Sequence, residues 1–261
     1  MNITEISSLI AAGIVVGFIN TLAGGGSIIS LSLLMFFGLP APVANGTNRV
    51  AIAIQNIAAT SSFKYQKVLE WKKALLLSLP AIAGSVTGAL IAVDIDEHTF
   101  EVAIGVIMLV MMFVVLFKPS KYIYGKAEVR EKPYTWKIYI TFFVIGIYGG
   151  FIHMGVGYFW LTAIVLGAGF DLVKANAVKV LIILAYAPFT IAVFLFNNQI
   201  RWDYGLVLAT GSVIGALIAS HMAVKKGVVF VKWVIVIVVI LTSIQMFGIY
   251  DIKGMFTGFV N

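Results

Sequence analysis

Hydrogen-bonding side chains and a cation interrupt one of the apolar stretches of the chain. In ANGTNRVAIAIQN, residues 44–56, polar positions recur at the spacing that places side chains on one face of a helix. Amide groups donate hydrogen bonds and a guanidinium adds positive charge, so this face has the chemistry to bind a small anion. The residues on that face are Asn45, Asn48, Ile52 and Gln55, with Arg49 and Asn56 beside it.

A similar face recurs in the second part of the chain, where Asn176 and Lys179 are followed by Ile183 and Tyr186 at the same spacing. A charge within the hydrocarbon of a bilayer costs at least about 2.5 kcal/mol, so such residues usually face the interior of a helix bundle. Arg49 and Lys179 are therefore the predicted partners of an anion. The alternative is that each lies near a helix end and extends its charge to the lipid headgroups.

Two glycine clusters accompany these polar faces. TLAGGGSIIS contains Gly24, Gly25 and Gly26, and Gly155 and Gly157 form a second cluster. The first cluster lacks the spacing of a nucleotide-binding glycine motif. Glycine permits a positive φ and the close approach of a ligand, and a helix that begins just after each cluster would direct free N–H groups at an anion. Packing of small residues between membrane helices is the alternative interpretation.

Three further side chains adjoin the glycine clusters. His153 precedes Gly155, and an imidazole carries a proton or hydrogen-bonds an anion near neutral pH. Ser27 and Tyr158, each one residue after a cluster, supply hydroxyl donors. The structural alternatives are a buried histidine with satisfied hydrogen bonds, and hydroxyls that cap the start of a helix.

The composition is that of a membrane protein. Hydrophobic residues make up 61% of the 261 positions and charged residues only 11%, against roughly 25% in soluble domains. Apolar stretches of about 20 residues, the length needed to cross a bilayer, recur along the whole chain. The net charge of +7 is concentrated in loops, where basic residues set membrane orientation. The sequence therefore predicts a lipid bilayer as partner and no nucleic acid.

Enzymatic and metal chemistry is disfavoured by the residue inventory. The chain has no cysteine, which excludes disulfides, thiolate metal sites and cysteine nucleophiles. Its three histidines lie in separate segments without a ligand pair at i, i+4. We therefore expect neither a catalytic site nor a cofactor, and the absence of a P-loop disfavours a primary pump.

The sequence is an internal duplication. AGSVTGALIA, residues 83–92, and TGSVIGALIA, residues 210–219, agree at eight of ten positions. Other landmarks recur in the same order, among them GFIN with GFIH and the glycine clusters. We predict one integral membrane domain. Its first transmembrane repeat spans residues 1–117, a cytoplasmic linker spans 118–137, and the second transmembrane repeat spans 138–261.

Each repeat has about five hydrophobic segments, and an odd number turns the second repeat upside down relative to the first. Loop charges agree with this inversion, because loop 64–73 is basic where its counterpart 197–203 is neutral, and loop 94–101 is acidic where 225–232 is basic. Because basic loops of membrane proteins face the cytoplasm, we predict that the basic linker lies in the cytoplasm and that both termini lie outside. The predicted segments are 5–22, 25–37, 44–63, 74–93 and 101–117, then 138–154, 156–170, 173–196, 204–223 and 229–249.

The second segment of each repeat is short. Segment 25–37 extends roughly 20 Å at 1.5 Å per residue, whereas the hydrocarbon core is about 30 Å thick. This length favours a hairpin that enters the membrane and returns, although two full spans would give the same orientation. The predicted fold is an all-α polytopic membrane protein with two inverted repeats, whose glycine-interrupted hairpins meet near the midplane. This arrangement is typical of secondary transporters.

Several motifs together resemble a known family. They are the glycine cluster after the first segment, GLPAPVANGTN with Thr47 in its alanine-x-glycine-threonine turn, the weaker second copy GAGFDLVKANAVKV, and the charged linker. In these features essentially the whole chain resembles the sulfite exporter TauE/SafE family. The resemblance implies transport of sulfur-containing anions, such as sulfite or organosulfonates, across a bacterial or archaeal cytoplasmic membrane. In the second copy Val156 interrupts the glycine run and Val178 replaces the threonine aligned with Thr47.

Two functions remain open at this stage. A secondary transporter would bind a small anionic substrate and couple its movement to an ion, a proton or sodium. An anion channel for small oxyanions or carboxylates would share the basic, glycine-lined interior but show no saturation.

A single cysteine at Lys126 tests the predicted orientation. Because the parent chain has no cysteine, labelling at this position is unambiguous. We expect a membrane-impermeant thiol reagent to label the Lys126→Cys variant only after the cells are opened, since the basic linker faces the cytoplasm. Labelling in intact cells would reverse the assigned orientation.

Overall fold

The structure, a computed structural model, describes residues 1–104, 106–107 and 134–246. Regular secondary structure within these residues is helical throughout. Most of the predicted segment 101–117, most of the linker 118–137 and the last residues of the predicted segment 229–249 lie outside the described residues.

The helices follow the predicted order of hydrophobic segments. A further helical stretch covers residues 97–104 after the fourth helix. The assigned helices are α1 (Ile3–Leu22), α2 (Ser27–Phe36), α3 (Ala41–Tyr65), α4 (Trp71–Asp94), α5 (Trp136–Phe151), α6 (Val156–Thr162), α7 (Leu172–Phe196) and α8 (Trp202–Met246). A single turn of wider π-helix, Ala163–Ala168, extends α6, and α8 breaks at Gly227, which has φ 71°.

Local sequence explains where the long helices begin. Asn2 and Glu5 form a reciprocal capping box at the start of α1. The Asp171 carboxylate accepts hydrogen bonds from the first backbone N–H groups of α7. Proline in the first turn of α3 needs no hydrogen-bond partner for its nitrogen, so that helix starts at Ala41, three residues before the predicted segment.

Among the described residues, four helices are long and apolar enough to cross a membrane, namely α1, α4, α7 and the Trp202–Val231 part of α8. Three apolar helical stretches are shorter: α2, α5 and residues 156–168. The short second segment expected in each half is therefore present. The third helix, α3, has 25 residues but carries the polar face.

The first helix of the second half ends earlier than the sequence suggests. We predicted a segment to residue 154, but α5 stops at Phe151 because Ile152 is extended, with φ −140° and ψ 123°. His153 consequently lies in the break between α5 and α6 rather than on a helix. At its other end α5 begins at Trp136, two residues before the predicted segment 138–154.

Packing between the halves is reciprocal. The most extensive contacts pair α1 with α8 and α4 with α5. The next most extensive pair α3 with α8 and α4 with α7, and α3 also packs on α7. The long helices α1, α3, α4, α5, α7 and α8 therefore pack mainly on helices of the other half, whereas the short helices α2 and α6 pack on helices of their own half.

Glycines at i, i+4 form the two largest contacts, and their backbones nearly touch the facing helix. The Cα of Gly13 and Gly17 in α1 faces Leu208 O and Ser212 O of α8, while Gly211 and Gly215 face Ile10 O and Ile14 O of α1. The contact between α4 and α5 has the same design with four glycines, Gly84, Gly88, Gly146 and Gly150. Four small-xxx-small motifs thus fix the framework, as is common between membrane helices.

Two neighbouring positions on α4 test this packing. A leucine in place of Gly84 would enter the space of Phe143 O, whereas Ala83 is exposed on the same helix. We expect Gly84→Leu to lose at least about 1–3 kcal/mol of stability through overpacking, seen as a fall of about 3–10 °C in the apparent melting temperature in detergent. The matched variant Ala83→Leu should melt like the parent, and equal effects of the two would refute the close crossing.

Candidate functional site

The two glycine clusters lie against each other. Gly24 follows the end of α1 with φ 91°, and a Cβ on it would collide with the Cα of Gly157. A Cβ on Gly157 would collide with the Cα of Gly24 in turn. Gly155, with φ 67°, occupies the position before the first residue of α6. Both chain breaks therefore meet backbone to backbone, without side chains between them.

The other two glycines of the first cluster face polar atoms. The Cα of Gly25 lies against the phenol of Tyr158. Gly26 precedes α2, and a Cβ there would lie 2.7 Å from Val16 O and 3.0 Å from Asn20 Oδ1. These contacts require a residue without a side chain at the entry to α2.

Arg49 caps the end of α5. Its Nη1 donates to Gly149 O at 3.0 Å, and its Nη2 donates to Gly150 O at 2.6 Å and Phe151 O at 3.3 Å. Asn45, one turn earlier on α3, also donates to Phe151 O at 3.0 Å. The guanidinium lies 4.5 Å from the ring centroid of Phe194. Arg49 is only 2% exposed, so it does not extend to the lipid headgroups.

Lys179 caps the end of α1 in the same way. Its Nζ donates to Asn20 O and Thr21 O at 3.0 Å each, and to Asn176 Oδ1 at 2.7 Å. The side chain is fully buried. The carbonyl groups of the last helical turn have no partner within the helix and attract positive charge. Each half therefore supplies the cation that caps the first helix of the other half.

Neither buried cation has a carboxylate partner within residues 1–104, 106–107 and 134–246. The ion pairs of these residues join Glu70 to Lys73 and Lys174, Arg201 to Asp203, and the amino terminus to Glu5. Arg49 retains one buried donor, Nε, with no hydrogen-bond partner. The described centre of the protein thus carries a positive charge that protein carboxylates do not neutralise.

A chain of polar contacts runs from the capped end of α1 through α2 to α3. The side-chain amide of Asn20 donates to Ser27 Oγ at 3.4 Å. The Ser30 hydroxyl lies 3.3 Å from Ser27 O and donates to Asn48 Oδ1 at 2.7 Å. Because Asn20 O binds Lys179, the network runs from that cation through α2 to Asn48, which precedes Arg49 in the sequence.

His153 faces α7. Its Nδ1 lies 3.2 Å from the hydroxyl of Tyr186, and its side chain is 5% exposed. Tyr186 is itself buried and stacks at a tilt near Trp160, with ring centroids 6.4 Å apart. The polar face of α7 therefore contacts His153 through Tyr186.

Two predicted residues lie apart from this centre. The Thr47 hydroxyl accepts a hydrogen bond from the backbone N–H of Arg201 at 2.9 Å, and so binds the loop between α7 and α8. Gln55 is buried about two turns beyond Asn48, and its Oε1 lacks a partner in the described part of the chain.

Asn176 completes the surroundings of Lys179 and donates to Leu172 O at 3.1 Å.

Asn20 and Ser30 belong to the network, but the sequence interpretation did not select them. Ser30 follows Ser27 by three residues, a spacing that places both hydroxyls on one side of α2. Asn20 is aligned with His153 in the duplicated motif GFIN and GFIH. The i, i+3 spacing of the two serines and the alignment of Asn20 with His153 are the sequence features that indicate these two residues.

The fold and the site define a class of protein: a helical membrane protein with two broken segments in contact and two buried cations at the broken ends. A sequence profile described as "Sulfite exporter TauE/SafE" matches residues 9–246. The chain therefore belongs to the sulfite exporter TauE/SafE family, and it is a multi-pass protein of a membrane transporter family.

Curated relatives are similar over nearly the whole chain. A "Probable membrane transporter protein ORF9" of Sinorhizobium sp. is 28% identical over 91% of this chain and 90% of its own length. A "Probable membrane transporter protein" of Haemophilus influenzae is 26% identical over 96% and 97%. The "Probable membrane transporter protein YfcA" of Escherichia coli is 26% identical over 91% and 87%. No solved structure matches the chain significantly.

The contact between the glycine clusters can be tested by adding one methyl group at a time. Gly24→Ala and Gly157→Ala each place a Cβ inside the other backbone, and Gly24 also has a positive φ, which costs a non-glycine residue about 1–2 kcal/mol. We expect both variants to melt at least about 3 °C below the parent in detergent.

Gly25→Ala is the matched control for these two variants. Its Cβ meets the far end of the Tyr158 side chain, which can move, so we expect a smaller loss of stability. If Gly24→Ala melts like the parent, the two chain breaks do not touch as described.

Proposed function

We propose that the protein is a secondary transporter that moves small sulfur-containing anions, such as sulfite or organosulfonates, across the cytoplasmic membrane of a bacterial or archaeal cell. The observation that carries this proposal is the buried guanidinium of Arg49, which has no carboxylate partner among the described residues and keeps a free Nε donor. The class of substrate follows the description of the family to which the chain belongs.

The two cations have different parts in the proposed site. An ammonium has three N–H donors, and Lys179 uses all three on protein oxygens. Lys179 therefore attracts an anion through its charge, and it binds the anion directly only when the anion replaces one of these three protein oxygens. Arg49 has five N–H donors and can bind an oxyanion directly through Nε while it still caps α5.

Neutral donors complete the proposed site. Amide and hydroxyl groups can bind the oxygen atoms of sulfite without adding charge, so that one or two cations suffice and the anion is released again. The proposed substrate-binding set, unchanged from the sequence interpretation, is Gly24, Gly25, Gly26, Ser27, Asn45, Thr47, Asn48, Arg49, Gln55, His153, Gly155, Gly157, Tyr158, Asn176 and Lys179. We add Ser30, which hydrogen-bonds Asn48, and Asn20, which hydrogen-bonds Ser27.

We further propose that the two halves, residues 1–117 and 138–261, are inverted repeats of about five segments each within one domain. The reciprocal packing of α1 on α8 and of α4 on α5 supports this symmetry. In an inverted repeat the contact between Gly24 and Gly157 would lie near the membrane midplane, where such transporters bind substrate. Movement of one half against the other would then expose the site to either side.

A panel of anions in proteoliposomes tests the proposed activity. We expect uptake of sulfite or a sulfonate to saturate with concentration and to depend on a gradient of protons or sodium, with sulfate and carboxylates as comparison substrates. Flux that rises linearly with concentration, without dependence on an ion gradient, would indicate an anion channel instead. No flux of any sulfur-containing anion would refute the proposed substrate class.

Removal of either buried charge tests the proposed site. Glutamine at position 49 or 179 keeps an N–H donor for the helix carbonyls but removes the positive charge. We expect Arg49→Gln and Lys179→Gln to weaken anion binding by about 1.5–3 kcal/mol, the range for a hydrogen bond to a charged group, which corresponds to about 10- to 150-fold in calorimetric affinity.

Arg201→Gln is the matched control, because Arg201 is half exposed and paired with Asp203 at the start of α8. It should bind the anion like the parent, whereas Lys179→Arg should retain part of the affinity. Unchanged affinity in both Arg49→Gln and Lys179→Gln would contradict the site and leave backbone N–H groups as its only anion-binding elements.

A further inference from the structure

The last turn of α1 leaves two carbonyl groups without a backbone partner. Ile19 O accepts hydrogen bonds from the backbone N–H groups of Ala23, at 2.7 Å, and Gly24, at 2.9 Å, because the chain turns sharply there. Asn20 O and Thr21 O both bind the ammonium of Lys179. The break after α1 therefore creates a small group of oxygen atoms that only a donor from outside the helix can satisfy.

All three N–H donors of the Lys179 ammonium are in use, and all three of their acceptors are uncharged. Its three partners lie at 3.0, 3.0 and 2.7 Å, which is within the usual range for N–H hydrogen bonds to oxygen. Two are main-chain oxygens of α1 and the third is the Asn176 side chain, one turn away on α7. The Thr21 hydroxyl, which is fully buried and has no partner in the described ranges, adds an oxygen on the same residue.

This arrangement differs from that of the other buried cation. Arg49 binds three carbonyl groups of α5 and keeps Nε free, whereas Lys179 has no donor left. The negative end of the α1 dipole attracts a cation, and no described carboxylate shares this position. The surroundings of Lys179 are therefore those of an oxygen-lined cation site that the chain fills from within.

We propose that the Lys179 ammonium is a resident cation in a binding site for small alkylammonium ions, formed by Asn20 O, Thr21 O and Asn176 Oδ1. The aliphatic stem of Lys179 extends from α7 and holds the ammonium in this site. The side chain thereby joins the end of α1, in the first half, to α7, in the second half. When the side chain is shortened, the same oxygens bind an ammonium or alkylammonium ion from solution. This property is independent of which anion the protein transports.

The variant Lys179→Ala tests the proposal by chemical rescue. It removes the ammonium and most of the stem, and leaves a space that suits propylammonium. We expect the purified variant to melt well below the parent in sodium chloride. In ammonium or propylammonium chloride at equal ionic strength we expect its melting temperature to rise by at least about 3 °C, saturably with concentration, as for a ligand that binds only the folded state.

Three comparisons make the result specific. Tetramethylammonium, which has no N–H donor, should not rescue Lys179→Ala. Lys179→Met fills the stem volume with an apolar group, so propylammonium should not rescue it. Lys174→Ala removes a half-exposed lysine of α7 that pairs with Glu70, and its stability should not depend on which ammonium salt is present.

The outcomes are decisive even when the variant is hard to purify. If Lys179→Ala is recovered as monodisperse protein only when membranes are extracted in ammonium or propylammonium salts, the proposal is supported. Recovery in neither salt, or equal stability in ammonium, tetramethylammonium and sodium salts, overturns it. The melting assay contains no transported anion, so its result is separate from that of the anion-affinity measurements.

Discussion

Hydrogen bonding at the ends of two interrupted helices is the constraint on which the rest of the structure depends. Where α1 and α5 stop inside the protein, the carbonyl groups of their last turns have no water to bind, and each buried unsatisfied group costs about 1–3 kcal/mol. Lys179 satisfies two carbonyl groups of α1, and Arg49 satisfies three of α5. Since each cation comes from the opposite half, neither broken helix is complete without the other half.

These caps require short distances between backbones, and glycine provides them. Gly24 and Gly157 allow the two breaks to touch, and the glycine pairs along α1 and α8 bring the flanking helices within contact of main-chain oxygens. With larger residues the helix ends would move apart and the side chains of α3 and α7 would no longer reach them. The glycine clusters therefore have a packing role that the structure demonstrates, beside the anion-binding role that we propose.

Sequence patterns predicted the buried polar faces well because helical spacing is a local property, and a polar face on an apolar membrane helix is stable only in the interior of a bundle. Asn45, Asn48, Arg49, Asn176 and Lys179 are all buried, as a charge or amide within an apolar helix must be. Their partners were not predictable, because helical spacing identifies a face but not the main-chain oxygen opposite it. The end of α5 at Phe151 was missed for a related reason: an apolar run through Ile152 and Met154 gives no signal that the backbone becomes extended.

Chemical differences between the halves matter as much as their similarity. A guanidinium is planar and has five donors, so Arg49 can cap three carbonyl groups and still leave Nε available, whereas the ammonium of Lys179 is fully used by three oxygens. The polar network from Asn20 through Ser30 to Asn48 has no described equivalent around His153, which instead contacts Tyr186. An anion bound beside the two breaks would therefore meet a free charged donor at Arg49 and a charge at Lys179 whose donors are all in use, so its binding need not be symmetric even in a symmetric fold.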